Sequence, residues 1–335
     1  TLAGIGPSFD NKVTVNENAV IQSVVNAGRT TLGSSSNGID IAANKKLVLD
    51  AIAGGRPVTD PGANLVIAGD ITGDATTELV IRSTQKNAGT TISAQIAQEQ
   101  GLLQQTGFAS QSGVVTLTGD NAGFLGTLSF EAGSNLRVEG VSALSNKTFT
   151  MQGGTLQLLD DGDGTGSNTQ TFNFNHSITV TGNSTLGVGR TATSLAPYFT
   201  QAANKVAEIN SLTIGRNTMT VTNNNNYGLT VSGTTTLTGA PIFTISAAST
   251  SNQQAGLHLA GQVTGNNSIL KNGAGTLMLS DATNNFGGAM SFTAFGVGTL
   301  LTTENQGLVA GQRLTGTNIA GGTIINSVGV QNINA

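Results

Sequence analysis

One stretch occurs twice, and it limits the chain to a small set of folds. Residues 113–130, GVVTLTGDNAGFLGTLSF, return as residues 275–292, GTLMLSDATNNFGGAMSF, without a gap. Glycine is kept at Gly113/Gly275 and Gly126/Gly288, leucine at Leu117/Leu279, and phenylalanine at Phe124/Phe286 and Phe130/Phe292. Register is lost only after Ala132 and Ala294. Within each copy alternate residues are apolar: Val115 and Leu117, Leu128 and Phe130, Leu277 and Leu279. Alternation places them on one face of a strand. A strand of three to five residues cannot bury that face alone. Coiling the chain so that each turn stacks on the last buries it, and parallel stacking pairs every backbone N–H and C=O with the next turn. The pattern therefore predicts an all-β fold, a parallel β-solenoid (β-helix).

The same rhythm runs through most of the chain. Short apolar alternations such as Val13-Thr14-Val15, Ile39-Asp40-Ile41, Leu136-Arg137-Val138 and Leu212-Thr213-Ile214 are separated by Asn, Gly and Ser. Glycine supplies left-handed backbone angles at the corners, and asparagine tolerates them. The prediction is one continuous body over 1–335, with short helical or loop insertions near 88–110 and 191–210 and a less regular end segment at 302–335. Ile92–Gln105 is rich in Ala, Gln and Glu, with Ile92, Ile96 and Leu103 near helical spacing. Pro197 followed by Tyr198–Ile209 fits a proline-started helix carrying Phe199, Val206 and Ile209 on one side. Both segments are expected to protrude from the body. Leu117, Phe130, Leu277, Leu279 and Phe292 are expected to share the interior.

Lys271 to Gly288, KNGAGTLMLSDATNNFGG, resembles the autotransporter-associated β-strand repeat of bacterial surface proteins, whose pattern is roughly G-x-G-T-L-x-L-S-G-x-N-x-[YF]-x-G-G-T. Gly113–Phe130 resembles a worn version. This chain departs from the pattern at Asp281, where glycine is usual, and at Ala289, where threonine is usual. The resemblance covers about a fifth of the chain and implies a passenger-type solenoid exported to the outside of a bacterial cell. It implies no particular ligand.

Composition narrows the function classes. Charged residues are only 10%, against about 25% in an ordinary soluble domain. Thr, Ser, Asn and Gln must therefore supply the polar surface. A net charge of −4 offers no basic field for nucleic acid. No apolar run reaches the roughly 18 residues of a membrane helix, and Thr1-Leu2-Ala3-Gly4 does not open a signal peptide. The absence of cysteine agrees with export without disulfides.

The one acidic cluster is Asp160-Asp161-Gly162-Asp163-Gly164. A hard cation takes several oxygens from a tight glycine-bearing loop, so Asp160, Asp161 and Asp163 form a calcium candidate that lacks the closing bidentate glutamate. The plain reading of the same loop is a solvated turn. No other cofactor is implied. His176 and His258 have no second histidine or carboxylate near them in sequence. The pairs Gly153-Gly154 and Gly287-Gly288 lack the lysine and spacing of a phosphate loop and read as corners. Lys45-Lys46 reads as a solvated face.

These features point to a non-enzymatic extracellular structural or adhesive protein of a bacterial surface, self-associating as layer, sheath, filament or stalk. Surface polysaccharide, or a host or neighbouring cell, is the other expected partner. The alternative is a carbohydrate-active β-helix enzyme, whose glycosidase chemistry would need two carboxylates roughly 5–10 Å apart, or a polysaccharide-binding protein.

Overall fold

The computed structural model describes residues 8–317 apart from 24–29, 53–64, 84–88, 99–101, 107–112, 122–127, 131–132, 165–168, 192–202, 247–255, 294–299, 303–314 and the single positions 75, 94 and 145. The fold is a parallel β-solenoid. It divides into two compact units, Thr1–Leu158 and Leu159–Ala335.

In the first unit the chain visits three sheets in turn. The opening turn contributes Ser8–Phe9, Val13–Val15 and Ala19–Ser23, and the next contributes Thr30–Leu32, Ile39–Ile41 and Lys46–Ala51. Each strand pairs in parallel with its counterpart one turn away: Phe9 with Leu32, Val15 with Ile41, Ile21 with Leu49. Register then fixes the core. Leu47 stands on Leu79 and Leu49 on Ile81, while Ile39 stands on Ile71, and all six are buried. Further along, Val115 and Leu117 lie on Leu136 and Val138, also buried.

The second unit repeats the plan of three strands per turn. One turn contributes Val206–Ile209, Ser211–Ile214 and Thr218–Asn223; the next contributes Gly228–Val231, Thr235–Leu237 and Ile242–Ile245. One interior column runs Phe172, Ala207, Leu229, Leu257, Leu277, and its neighbour runs Ile209, Val231, Leu259, Leu279. All nine side chains are buried. Leu117, Leu277 and Leu279 therefore occupy the interior as their alternation predicts. Phe130 and Phe292 end and nearly end the strands Leu128–Phe130 and Met290–Thr293, but their side chains lie outside the described residues.

The predicted helix at Ile92–Gln105 is corrected. Gly89–Ile92, Ile96–Gln98 and Leu102–Thr106 are three strands of an ordinary turn. They pair with the turns on both sides, Thr91 between Val66 and Thr116, and Leu103 between Leu79 and Leu128. The segment does not protrude. Its three apolar residues suit a helix in isolation, but ladder bonds offered by two neighbouring turns outweigh a weak local preference. The predicted helix Tyr198–Ile209 is corrected at its end, since Val206–Ile209 is a strand between Thr171–Asn173 and Gly228–Val231. Its earlier part lies outside the described residues, as does most of the 302–335 segment. Among the described residues the sole helical element is the 3-10 turn Val141–Ala143.

Corners are held by side chains that bond to the backbone of an adjacent turn. The amide oxygens of Asn18, Asn121, Asn183 and Asn284 accept the N–H groups of Lys46 (2.9 Å), Ile96 (2.6 Å), Thr218 (2.8 Å) and Val263 (2.6 Å). Asp281, a departure from the repeat pattern, closes its own corner instead. Its Oδ1 accepts both the N–H (2.6 Å) and the hydroxyl (2.5 Å) of Thr283. Asp74 does the same for Thr76, at 2.8 and 2.6 Å. Both carboxyls are held below the ordinary carboxylate range by these bonds, the threonine hydroxyl first. Gly273 turns the chain with φ 78, and a Cβ there would strike the carbonyl oxygen of Ile245.

Candidate functional site

The acidic corner follows the strand Gly154–Leu159, and Gly162 (φ 55) and Gly164 (φ 72) bend it back. The Asp160 carboxylate accepts the Gly162 N–H at 2.8 Å, closing a local turn. Asp161 accepts the Thr191 N–H at 2.8 Å and also takes the Thr191 hydroxyl. Asp163 pairs with the Lys205 ammonium at 2.7 Å. Lys205 is fully buried, whereas Asp163 keeps 37% of its side chain exposed. A buried ammonium needs such a partner, because desolvation otherwise costs several kcal/mol.

Tyr227 closes the corner from below. Its ring is buried and stacks on Phe172, with centroids 6.4 Å apart. Its hydroxyl donates to the Asp160 carbonyl at 2.8 Å. Burial, followed by the carboxylates of Asp161 and Asp160, pushes the phenol above its ordinary range. Tyr227 is therefore a neutral donor across the physiological range and cannot serve as a base.

The three predicted calcium ligands thus sit on one corner, but their oxygens are turned to separate protein groups: an amide N–H, a threonine and an ammonium. Among the described residues no group of three or more His, Asp or Glu side chains is arranged to hold a metal ion. The corner is a structural fastening that ties residues 160–163 to Thr191, Lys205 and Tyr227.

The two histidines have different surroundings. His176 is buried, its ring 5.9 Å from that of Phe174. His258 lies in the strand Gly256–Leu259, with Nε2 2.7 Å from the Ser280 hydroxyl. Burial pulls its imidazole down to about 4. The group it meets there is an alcohol and not an acid, so the pairing does not make it a general base.

Two lysines escaped the sequence reading. Lys205 gave no local sign of its role, since Asp163 lies 42 positions away in the chain. Lys271 belongs to the repeat motif yet points inward, next to the buried Phe243 on the preceding turn. Its ammonium donates to the Gly273 carbonyl at 2.5 Å, and burial lowers its pKa. Alternation offered the clue, because Lys271 shares a face with Ile269. The Lys45-Lys46 pair lies partly exposed, as a solvated face requires. Lys45 meets Glu17 at 3.1 Å and Lys46 meets Glu78 at 2.7 Å, so both bind acidic residues of other turns.

Comparison with protein-family models, with curated proteins and with solved structures finds no match. Among the described residues no helix is long and apolar enough to cross a membrane.

Proposed function

We propose that this chain is a non-enzymatic structural or adhesive element of a bacterial cell surface, exported and self-associating. The observation that carries the reading is the use made of its reactive side chains. The acidic groups at 160–163 fasten one corner, Asp74 and Asp281 cap turns, and the lysine pair bridges turns. Chemistry of this kind maintains a scaffold. The repeat resemblance at Lys271–Gly288 supports export and a passenger-type role. A surface with few charges supports homotypic contact, because like-charge repulsion between copies is weak.

Electron microscopy and light scattering on the purified chain test the reading. Ordered filaments or sheets are expected. A monomer that persists to high concentration would remove self-association and leave the stalk or adhesive role. Release of reducing ends from a panel of bacterial polysaccharides would overturn the non-enzymatic assignment in favour of the carbohydrate-active alternative.

A further inference from the structure

Asparagine is a chemically labile residue, and most so before glycine, which has no side chain to shield its backbone nitrogen from the asparagine carboxamide. The chain has two such pairs, Asn37-Gly38 and Asn272-Gly273. The structure holds them in different ways.

Asn272 ends the strand Ile269–Asn272 and stands in the ladder opposite Thr244 on one side and Thr293 on the other. The Lys271 ammonium holds the Gly273 carbonyl at 2.5 Å. The Asn272 carboxamide reaches the Gly273 nitrogen only if the backbone rotates, and rotation here breaks pairing with both neighbouring strands.

Asn37 lies outside the named strands. Residues 34–37 form a tight turn in which the Ser34 N–H donates to the Asn37 carbonyl at 3.0 Å and the Asn37 N–H to the Ser34 carbonyl at 3.1 Å. Ser35 and Ser36 are exposed. The N–H of Gly38 has no acceptor among the described residues. The Asn37 carboxamide is held from the preceding turn, its Nδ2 donating to the carbonyl and to Oδ1 of Asp10, both at 3.1 Å. These bonds lie at the surface, where water competes for both partners, so they restrain the amide weakly.

Three turns meet at this corner. The Gly38 carbonyl accepts the Val13 N–H at 3.0 Å, and the Asp70 carbonyl accepts the Ile39 N–H at 2.7 Å. Gly38 packs so closely under the Asp70 carbonyl oxygen that a Cβ would strike it. Hydrogen bonds from the Ser34 and Asn37 side chains hold the Asp10 carboxyl below its ordinary range. The nearby Lys12 ammonium is engaged by Asp40. A negative charge in place of the Asn37 amide would face the Asp10 carboxylate and repel it. An extra backbone atom beside Gly38 would have no room.

We propose that Asn37 is a self-modification site: its carboxamide is lost to the Gly38 nitrogen and the three-turn corner is released, while Asn272 is preserved. The Gly38 nitrogen forms a bond to Cγ of Asn37, and the Cγ–Nδ2 bond breaks. The proton from the Gly38 N–H leaves with Nδ2 as ammonia. Water then opens the cyclic imide at either carbonyl. The product is aspartate, or isoaspartate with the main chain running through the side-chain carbon. One water enters and one ammonia leaves, and no oxidant or cofactor takes part. Aspartate sets a carboxylate against Asp10; isoaspartate lengthens the backbone next to Gly38. This assignment does not depend on the cell-surface reading above.

The test incubates the purified chain in warm, mildly alkaline buffer, both folded and in urea. Peptide mass spectrometry with enzymatic detection of isoaspartate follows the two asparagines. In urea both should convert at similar rates. In the folded chain Asn37 should convert several-fold faster than Asn272. Hydrogen exchange reads the consequence: the Val13 and Ile39 amides should lose protection as conversion proceeds. Asn37→Asp should show that loss from the start. Asn37→Gln, whose longer side chain does not close the same ring, should show no further change on incubation. Protection of both asparagines in the folded chain, or equal rates there, overturns the assignment of the site. Unchanged exchange at Val13 and Ile39 in the converted chain overturns its effect on the corner.

Discussion

Acidification from pH 7 to pH 5 should weaken the second unit through one residue, His258. The imidazole lies between Thr230 and Met278 on the adjacent strands, and burial lowers it from 6.5 to about 4. The folded state therefore excludes a proton that the unfolded chain takes up near pH 6.5. The stability contribution is fully present above about 6.5. It falls as pH drops through the interval to about 4, and below that it changes no further. Each pKa unit is worth 1.36 kcal/mol, so the full contribution is about 3 kcal/mol, and roughly 2 kcal/mol of it is gone at pH 5. Urea unfolding followed by circular dichroism, at pH 7 and pH 5, reads the loss. His258→Gln removes the titration while keeping an amide near Ser280. The parent chain should lose about 2 kcal/mol more than this variant over the same interval. The chain has 2 histidines, so proton NMR assigns the His258 signal as the one absent from the variant. An imidazole that titrates at or above its ordinary value, or parallel losses in the two proteins, would refute the reasoning.

Two further outcomes follow from the packing. Leu277→Ala removes a fully buried side chain stacked beneath Leu257 and should cost roughly 2–5 kcal/mol in urea unfolding; a shift within error would deny that column its place in the core. At the Asp163–Lys205 pair the costs should be unequal. Asp163→Asn leaves a fully buried ammonium short of its counter-charge and should cost about 3–5 kcal/mol, whereas Lys205→Met leaves a carboxylate that water can reach and should cost less. The reverse order in thermal unfolding would show that the burial of Lys205 is not what makes the pair matter.

The solenoid was legible because its determinants are short-range. Alternation in Thr276–Leu279 sends Leu277 and Leu279 inward whatever the rest of the chain does. Glycine at 273 permits a corner that a Cβ would block against Ile245. The repeat of 113–130 at 275–292 then says that such units stack. What stands above what could not be read in this way. Leu277 follows its partner Leu257 after 20 residues, but Ala207 follows Phe172 after 35, so no fixed period aligns the turns. Neighbours across turns were therefore hidden. Lys205 meets Asp163 and Asp161 meets Thr191 only once the register is set. The same holds for Ile92–Gln105, whose local spacing suits a helix and whose strands exist because turns on both sides offer ladder bonds. Sequence alone determined which face of each strand is buried, since that depends on adjacent residues. The tertiary structure decided which strands meet, since that depends on the lengths of the connections between them.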